Sequence, residues 1–199
     1  MENFKHKNKD IEFWSETGEI LGQNKYSETH VSSSGGGGYV GKHGGHVSAP
    51  QVHSTTVTNH EFWIKKEDGS EKSVQLAGHD IPLREGQKIT LISAGVKGKD
   101  SGYFSVLVNH NANKHWFINK AGPLNRHLKI DQATGKSILI AGGLWWLVAE
   151  VTGSVETGAV IAGAFVVYRL ATKFFRISKM IKALDKHLES LAQQAYQNT

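Results

Sequence analysis

Residues 137–175 read SILIAGGLWWLVAEVTGSVETGAVIAGAFVVYRLATKFF, apolar except near the middle and at the end. Gly153-Ser154 divides the stretch. Glu150 and Glu156 stand beside that break, and Lys136 and Arg169 stand at the opposite ends. The unbroken apolar run, Ile138 to Ala149, spans only about 18 Å as a helix, short against a hydrocarbon core of about 30 Å. Extension to Thr152, with Lys136 and Glu150 near the interfaces, brings each half to the minimum span. Trp145 and Trp146 lie nearer mid-span than an aromatic belt places them. The expectation is nevertheless a transmembrane helical hairpin over 137–152 and 155–171. Gly142 and Gly143 lie on its first helix, and Ala159 and Gly163, four residues apart, offer a small-residue face for close packing on the second.

Beyond the hairpin the charge changes. The formal net charge is +5, but residues 169–199 hold six basic side chains, Arg169, Lys173, Arg176, Lys179, Lys182 and Lys186, against Asp185 and Glu189. A basic excess directly after the most apolar segment suits anionic lipid head groups better than nucleic acid. The turn VTGSVETG has no Lys or Arg. By the positive-inside rule the expected setting is a bacterial-type inner membrane with the hairpin tip outward and both the preceding domain and the C-terminus cytoplasmic.

Residues 172–199 are expected as a basic amphipathic helix continuing from the hairpin. Val167, Leu170, Phe174, Ile177, Ile181, Leu184, Leu188, Leu191 and Ala195 recur at alternating steps of three and four, the spacing of a coiled-coil seam. The portion formed by Ile177, Ile181, Leu184, Leu188 and Leu191 is expected to drive self-association into a homo-oligomer, with packing inside one protomer as the competing use of the same pattern.

Toward the N-terminus, residues 51–130 carry about five short β runs with turn signals between them. VTNHEFWIKK and EKSVQL flank Asp68-Gly69, KITLIS follows Glu85-Gly86, and GYFSVLVNH and HWFINK are separated by NANK. That spacing suggests a small antiparallel barrel or sandwich. Residues 1–31 form a polar segment with possible strands, and residues 32–50, with seven Gly between Gly35 and Gly45, read as a flexible loop or linker. The expected fold is therefore an α+β membrane protein: a small antiparallel β-barrel or sandwich domain, a transmembrane helical hairpin and a C-terminal amphipathic helix.

Several chemistries are excluded on residue type and spacing. Gly36, Gly41 and Lys42 match the start of a phosphate-binding loop, but His43 stands where a Ser or Thr hydroxyl must hold Mg²⁺. The flanks also lack the required strand and helix. His43 and His46 are the weak metal candidates, and no third ligand falls at a diagnostic spacing. The chain has no Cys, and no Ser sits in a G-x-S-x-G elbow, so no catalytic residue and no cofactor is assigned. Trp63, Lys65 and Trp116 form a possible binding face that could stack on bases, although Phe62 and Ile64 alternate with Trp63 and Lys65 as a core face would. Nucleic acid is not an expected partner. The reading is a membrane-anchored noncatalytic binding or scaffold protein, its β domain engaging an unidentified protein partner and its hairpin the membrane lipids. The alternatives are an oligomeric pore or transport component, with Glu150 facing the path, and oligonucleotide binding by the barrel.

Overall fold

The computed structural model describes residues 1–99, 101–132 and 136–197. The chain is α+β, rich in sheet through its N-terminal part and helical at its C-terminus. The strands are β1 (Phe4–His6), β2 (Lys9–Ser34), β3 (Gly37–Gly41), β4 (Gly44–Ser48), β5 (Gln51–Lys66), β6 (Glu71–Ala77), β7 (Lys88–Val96), β8 (Gly102–Asn109) and β9 (Lys114–Phe117). The helices are α1 (Ala121–Leu128), α2 (Lys136–Thr152) and α3 (Val155–Gln197). The chain divides into two compact units: residues 1–15, 91–108 and 119–199, and residues 16–90 with 109–118.

The main sheet has the strand order β6-β5-β2-β7-β8-β9, with β1 added on β2, and among the described residues it does not close into the expected barrel. Closure requires the first and last strands to share a ladder. Here β6 and the four-residue β9 both remain edges.

In the unit built from residues 16–90 and 109–118, β2 and β5 pair antiparallel from Gly18↔Lys66 to Ser34↔Gln51, with a bulge at Leu21. Near the bulge the ribbon is covered: Ile20, Phe62 and Ile64 are buried with Val74, Leu76, Ile81, Leu83 and Ile89. From Ser27 and Thr58 outward it bears mostly exposed Ser, Thr, Val and His. The segment 32–50, expected as a loop or linker, forms the end of this ribbon and a second hairpin, β3 with β4. Pairing overrides composition here. Gly38 lies so close to the His46 carbonyl that a Cβ would collide with it, and Gly44, at φ +118°, turns the chain back after Lys42 and His43.

In the other unit Ile11, Phe13, Leu91, Ile92, Val106, Leu107 and Val108 form the sheet side of the core. Helix α1, absent from the sequence reading, supplies Ala121, Leu124 and Leu128. Its first turn holds Gly122 and Pro123, and Lys120 provides no side-chain cap. The capping group comes from a distant helix: the Ala121 N–H donates to Asp185 Oδ1 at 2.9 Å. Helix α3 runs without interruption from Val155 to Gln197, and its second half packs Met180, Leu184, Leu188, Leu191, Ala192 and Ala195 into this core. The stripe expected to join two copies is thus occupied from Leu184 to Leu191 within its own protomer, while Ile177 and Ile181 are half-buried.

Candidate functional site

The candidate site is the α2–α3 hairpin and the polar clamp at its base, all within one unit. Gly153, at φ +63°, reverses the chain between the helices, and Trp145 Nε1 donates across the turn to the Val155 carbonyl at 3.3 Å. Close packing falls on Gly158 and Ala162, both buried. A Cβ on Gly158 would stand 2.7 Å from the Trp145 carbonyl oxygen. The small-residue spacing of four is as expected, but it is displaced by one residue. Ala159 and Gly163 are exposed, and a Cβ on Gly163 would meet nothing within 4 Å. Because α3 begins two residues after Gly153, the short turn sets which face meets α2.

The rest of the hairpin is apolar and uncovered. Leu139 is 80% exposed, Val151 83%, Val160 72% and Phe175 72%. Trp145, Trp146, Gly142, Gly143 and Glu150 are exposed as well. One helix, α3, is long and apolar enough to cross a membrane, and Leu139–Thr152 forms a shorter apolar helix.

Where the apolar part of α3 ends, Arg176 meets Asp131. The guanidinium donates through Nε to Oδ2 at 2.7 Å and through a terminal nitrogen to Oδ1 at 3.1 Å. Lys7 Nζ at 2.9 Å and His6 Nε2 at 3.1 Å reach the same carboxylate, whose side chain is only 4% exposed. These residues come together because the turn between β1 and β2 presents His6 and Lys7, the latter at φ +50°, and because Asn125 holds Asp131 from the opposite side. The Asp131 N–H donates to Asn125 Oδ1, and Asn125 Nδ2 donates to the Asp131 carbonyl. The Arg176 hydrogen bonds hold the Asp131 carboxyl far below its usual range, with Lys7 and His6 adding to the effect against the opposing influence of burial. A carboxylate held by a guanidinium, an ammonium and an imidazole is a fixed structural anchor rather than a proton donor. Sequence reasoning missed Asp131, since a lone Asp in a loop carries no pattern.

Among the basic residues expected at a lipid surface, Arg176 is engaged in this clamp and Lys173 is buried. Arg169, Lys179, Lys182 and Lys186 are exposed. The other candidates are dispersed. His43 and His46 are exposed on the β3–β4 hairpin, and among the described residues no group of three or more His, Asp or Glu is placed to hold a metal. Trp63 and Lys65 share an exposed face of β5, whereas the half-buried Trp116 is on β9, with three strands between them in the sheet order.

In the second unit His60 is fully buried. Its Nε2 lies 2.9 Å from Gln23 Oε1, and Gln23 Nε2 donates to the Leu83 carbonyl at 2.6 Å. Burial lowers the His60 pKa. Lys25 lowers it further and Asp80, paired with Lys25 at 2.6 Å, partly opposes this. A second polar chain links Thr17 Oγ1, Thr90 Oγ1 and His110 Nε2 at 2.7 and 2.8 Å. Each chain joins side chains from separate strands or loops and so fixes their register. No family model, no curated protein and no solved structure matches the chain.

Proposed function

We propose that this chain is a membrane-anchored, noncatalytic binding or scaffold protein. In this reading the α2–α3 hairpin inserts into a bacterial-type inner membrane, and the β-rich region and C-terminus lie on the cytoplasmic side. The supporting observation is the extent of uncovered apolar side chain on both helices of the hairpin, far beyond the scattered apolar residues of an ordinary surface. Residues 155–171 and α2 are each about 25 Å of helix, the minimum span for a hydrocarbon core of about 30 Å. Basic residues flank the base of the hairpin, and none lies in its turn.

Partner binding is assigned to the outer β2–β5 ribbon. Among the described residues these strands pair only with each other beyond Ser27 and Thr58, which leaves each an open edge that can accept a further strand. Contact between copies is assigned to the outward face of Ala159 and Gly163, which permits close approach of a second helix in lipid.

The test is alkaline carbonate extraction of membranes holding the full chain, followed by protease treatment of intact spheroplasts with tags at both termini. Retention in the pellet with both tags protected is expected. Release by carbonate sinks the anchor reading, and a digested tag on intact cells sinks the orientation.

A further inference from the structure

A cleft of about 210 Å³ in the unit that carries the helices is lined by Lys9, Lys99, Lys129, Ser101, Tyr103 and His127, with apolar backing from Val96 and Leu128. The cations come from separate elements: Lys9 opens β2, Lys99 lies in the turn between β7 and β8, and Lys129 follows α1. Lys129 is held at φ +51° with its N–H bonded to the Asn125 carbonyl. The Tyr103 and His127 rings stack at 4.6 Å between centroids, which fixes two polar ring edges at the cleft. The end of α1 accounts for a cation or two by its dipole. It does not account for Lys9 and Lys99.

No carboxylate lines the cleft among the described residues; Asp100, between Lys99 and Ser101 in sequence, lies outside them. Of the nearby described acids, Asp131 is held by Arg176, Lys7 and His6, and Asp10 and Glu12 face Lys97 at 3.8 and 4.0 Å. The contrast with a second cleft is instructive. There Lys65, Lys66 and Lys88 stand with Glu19 and Glu67, Lys88 reaches Glu67 at 3.9 Å and Lys66 reaches Glu16 at 3.5 Å. Two carboxylates line that second cleft beside its lysines, whereas among the described residues none lines the first.

We propose that the Lys9, Lys99 and Lys129 cleft binds a phosphate ester. Three ammonium groups supply the charge, and the Ser101 hydroxyl, the Tyr103 hydroxyl and the His127 ring nitrogens supply hydrogen bonds to phosphate oxygens. Two sources fit this chemistry, a soluble phosphate monoester and a lipid phosphate headgroup. Only the second rests on the membrane reading. Lys129 is two residues from Asp131, which Arg176 ties to the end of the apolar part of α3, so a headgroup is the favoured source.

The experiment uses the full chain in a nonionic detergent, titrated calorimetrically with glycerol 3-phosphate and with dihexanoyl phosphatidic acid. Binding of at least one is expected. Its affinity should fall about tenfold in Lys99→Gln/Lys129→Asn, where Asn tolerates the left-handed backbone, and by a similar factor in Lys9→Gln. Lys42→Gln/Lys114→Gln removes the same charge from exposed positions outside the cleft and should change affinity by less than about twofold. Tighter binding of the lipid assigns the headgroup, and equal or tighter binding of the soluble ester assigns a free phosphate ester. Absence of binding by both overturns the site. So does an equal loss in the cleft and control variants, which would indicate diffuse charge.

Discussion

The two halves of α3 both carry apolar side chains at helical spacing, yet they end in opposite environments. Between Val155 and Phe175 only Gly158, Ala162 and Lys173 are buried, and Val160, Val167, Phe174 and Phe175 are each about two-thirds exposed or more. Between Met180 and Ala195 the apolar stripe is almost wholly buried. Periodicity therefore does not decide where a helix goes. The second half has α1 and β1 as neighbours, its His187 ring lying against Phe4 and Phe13, while the first has α2.

The largest effect expected from this contrast comes from truncating the buried half. Leu184→Ala should cost about 2–5 kcal/mol through lost burial and a residual cavity, read by urea unfolding of the full chain in detergent. Val160→Ala should leave the same transition in place. Equal losses in the two variants would mean that the exposed half is packed after all.

Next comes the face on which α3 meets α2. Gly158→Val places side-chain carbon against the Trp145 carbonyl and should cost about 1–3 kcal/mol, followed by far-UV circular dichroism during dodecyl sulfate titration. Gly163→Val meets open space and should be tolerated. A reversed order would restore the register that the sequence suggested.

The clamp between the halves gives a smaller effect with a definite pH signature. Arg176→Gln leaves Asp131 with Lys7 and His6 and should cost about 1–2 kcal/mol at neutral pH. The folded pKa of Asp131 is depressed, so the stabilisation is present above the ordinary carboxylate range and lost as pH falls through about 4 and below. An Asp131→Asn chain should show a flatter acid limb than the parent when urea midpoints are measured from pH 6 to pH 3.

The smallest effect tests the second unit. Burial lowers the pKa of His60 and of His110, so the unfolded chain binds more protons between their folded values and about 6.5, and stability falls as pH drops through that window. His60→Asn should reduce, without abolishing, the difference in unfolding midpoint between pH 7 and pH 5. An unchanged difference would mean that His60 titrates normally.

Much of the architecture was legible because it depends on local pattern. Asp68-Gly69 and Glu85-Gly86 mark real turns, with Gly69 and Gly86 at positive φ, and the runs around Phe62, Val74, Ile89, Val106 and Trp116 are all strands. The part of α3 from Val167 to Ala195 follows an unbroken step of three and four. What failed did so for physical reasons. Glycines 35–45 suggested a loop because their composition disfavours regular structure, but antiparallel pairing supplies hydrogen bonds that single-residue preferences ignore. Helix α1 was hidden because its cap, Asp185, is 64 residues away.

The sequence by itself determined helices α2 and α3, most of the strands, the placement of charge and the presence of an apolar hairpin, because each rests on the spacing of residue types along the chain. Only the tertiary structure decided that the sheet stays open, that Gly158 rather than Gly163 meets α2, that Leu184 to Leu191 pack inward and that Asp131 gathers Arg176, Lys7 and His6. Those outcomes depend on which surfaces compete for the same side chain, and the competitors are distant in sequence.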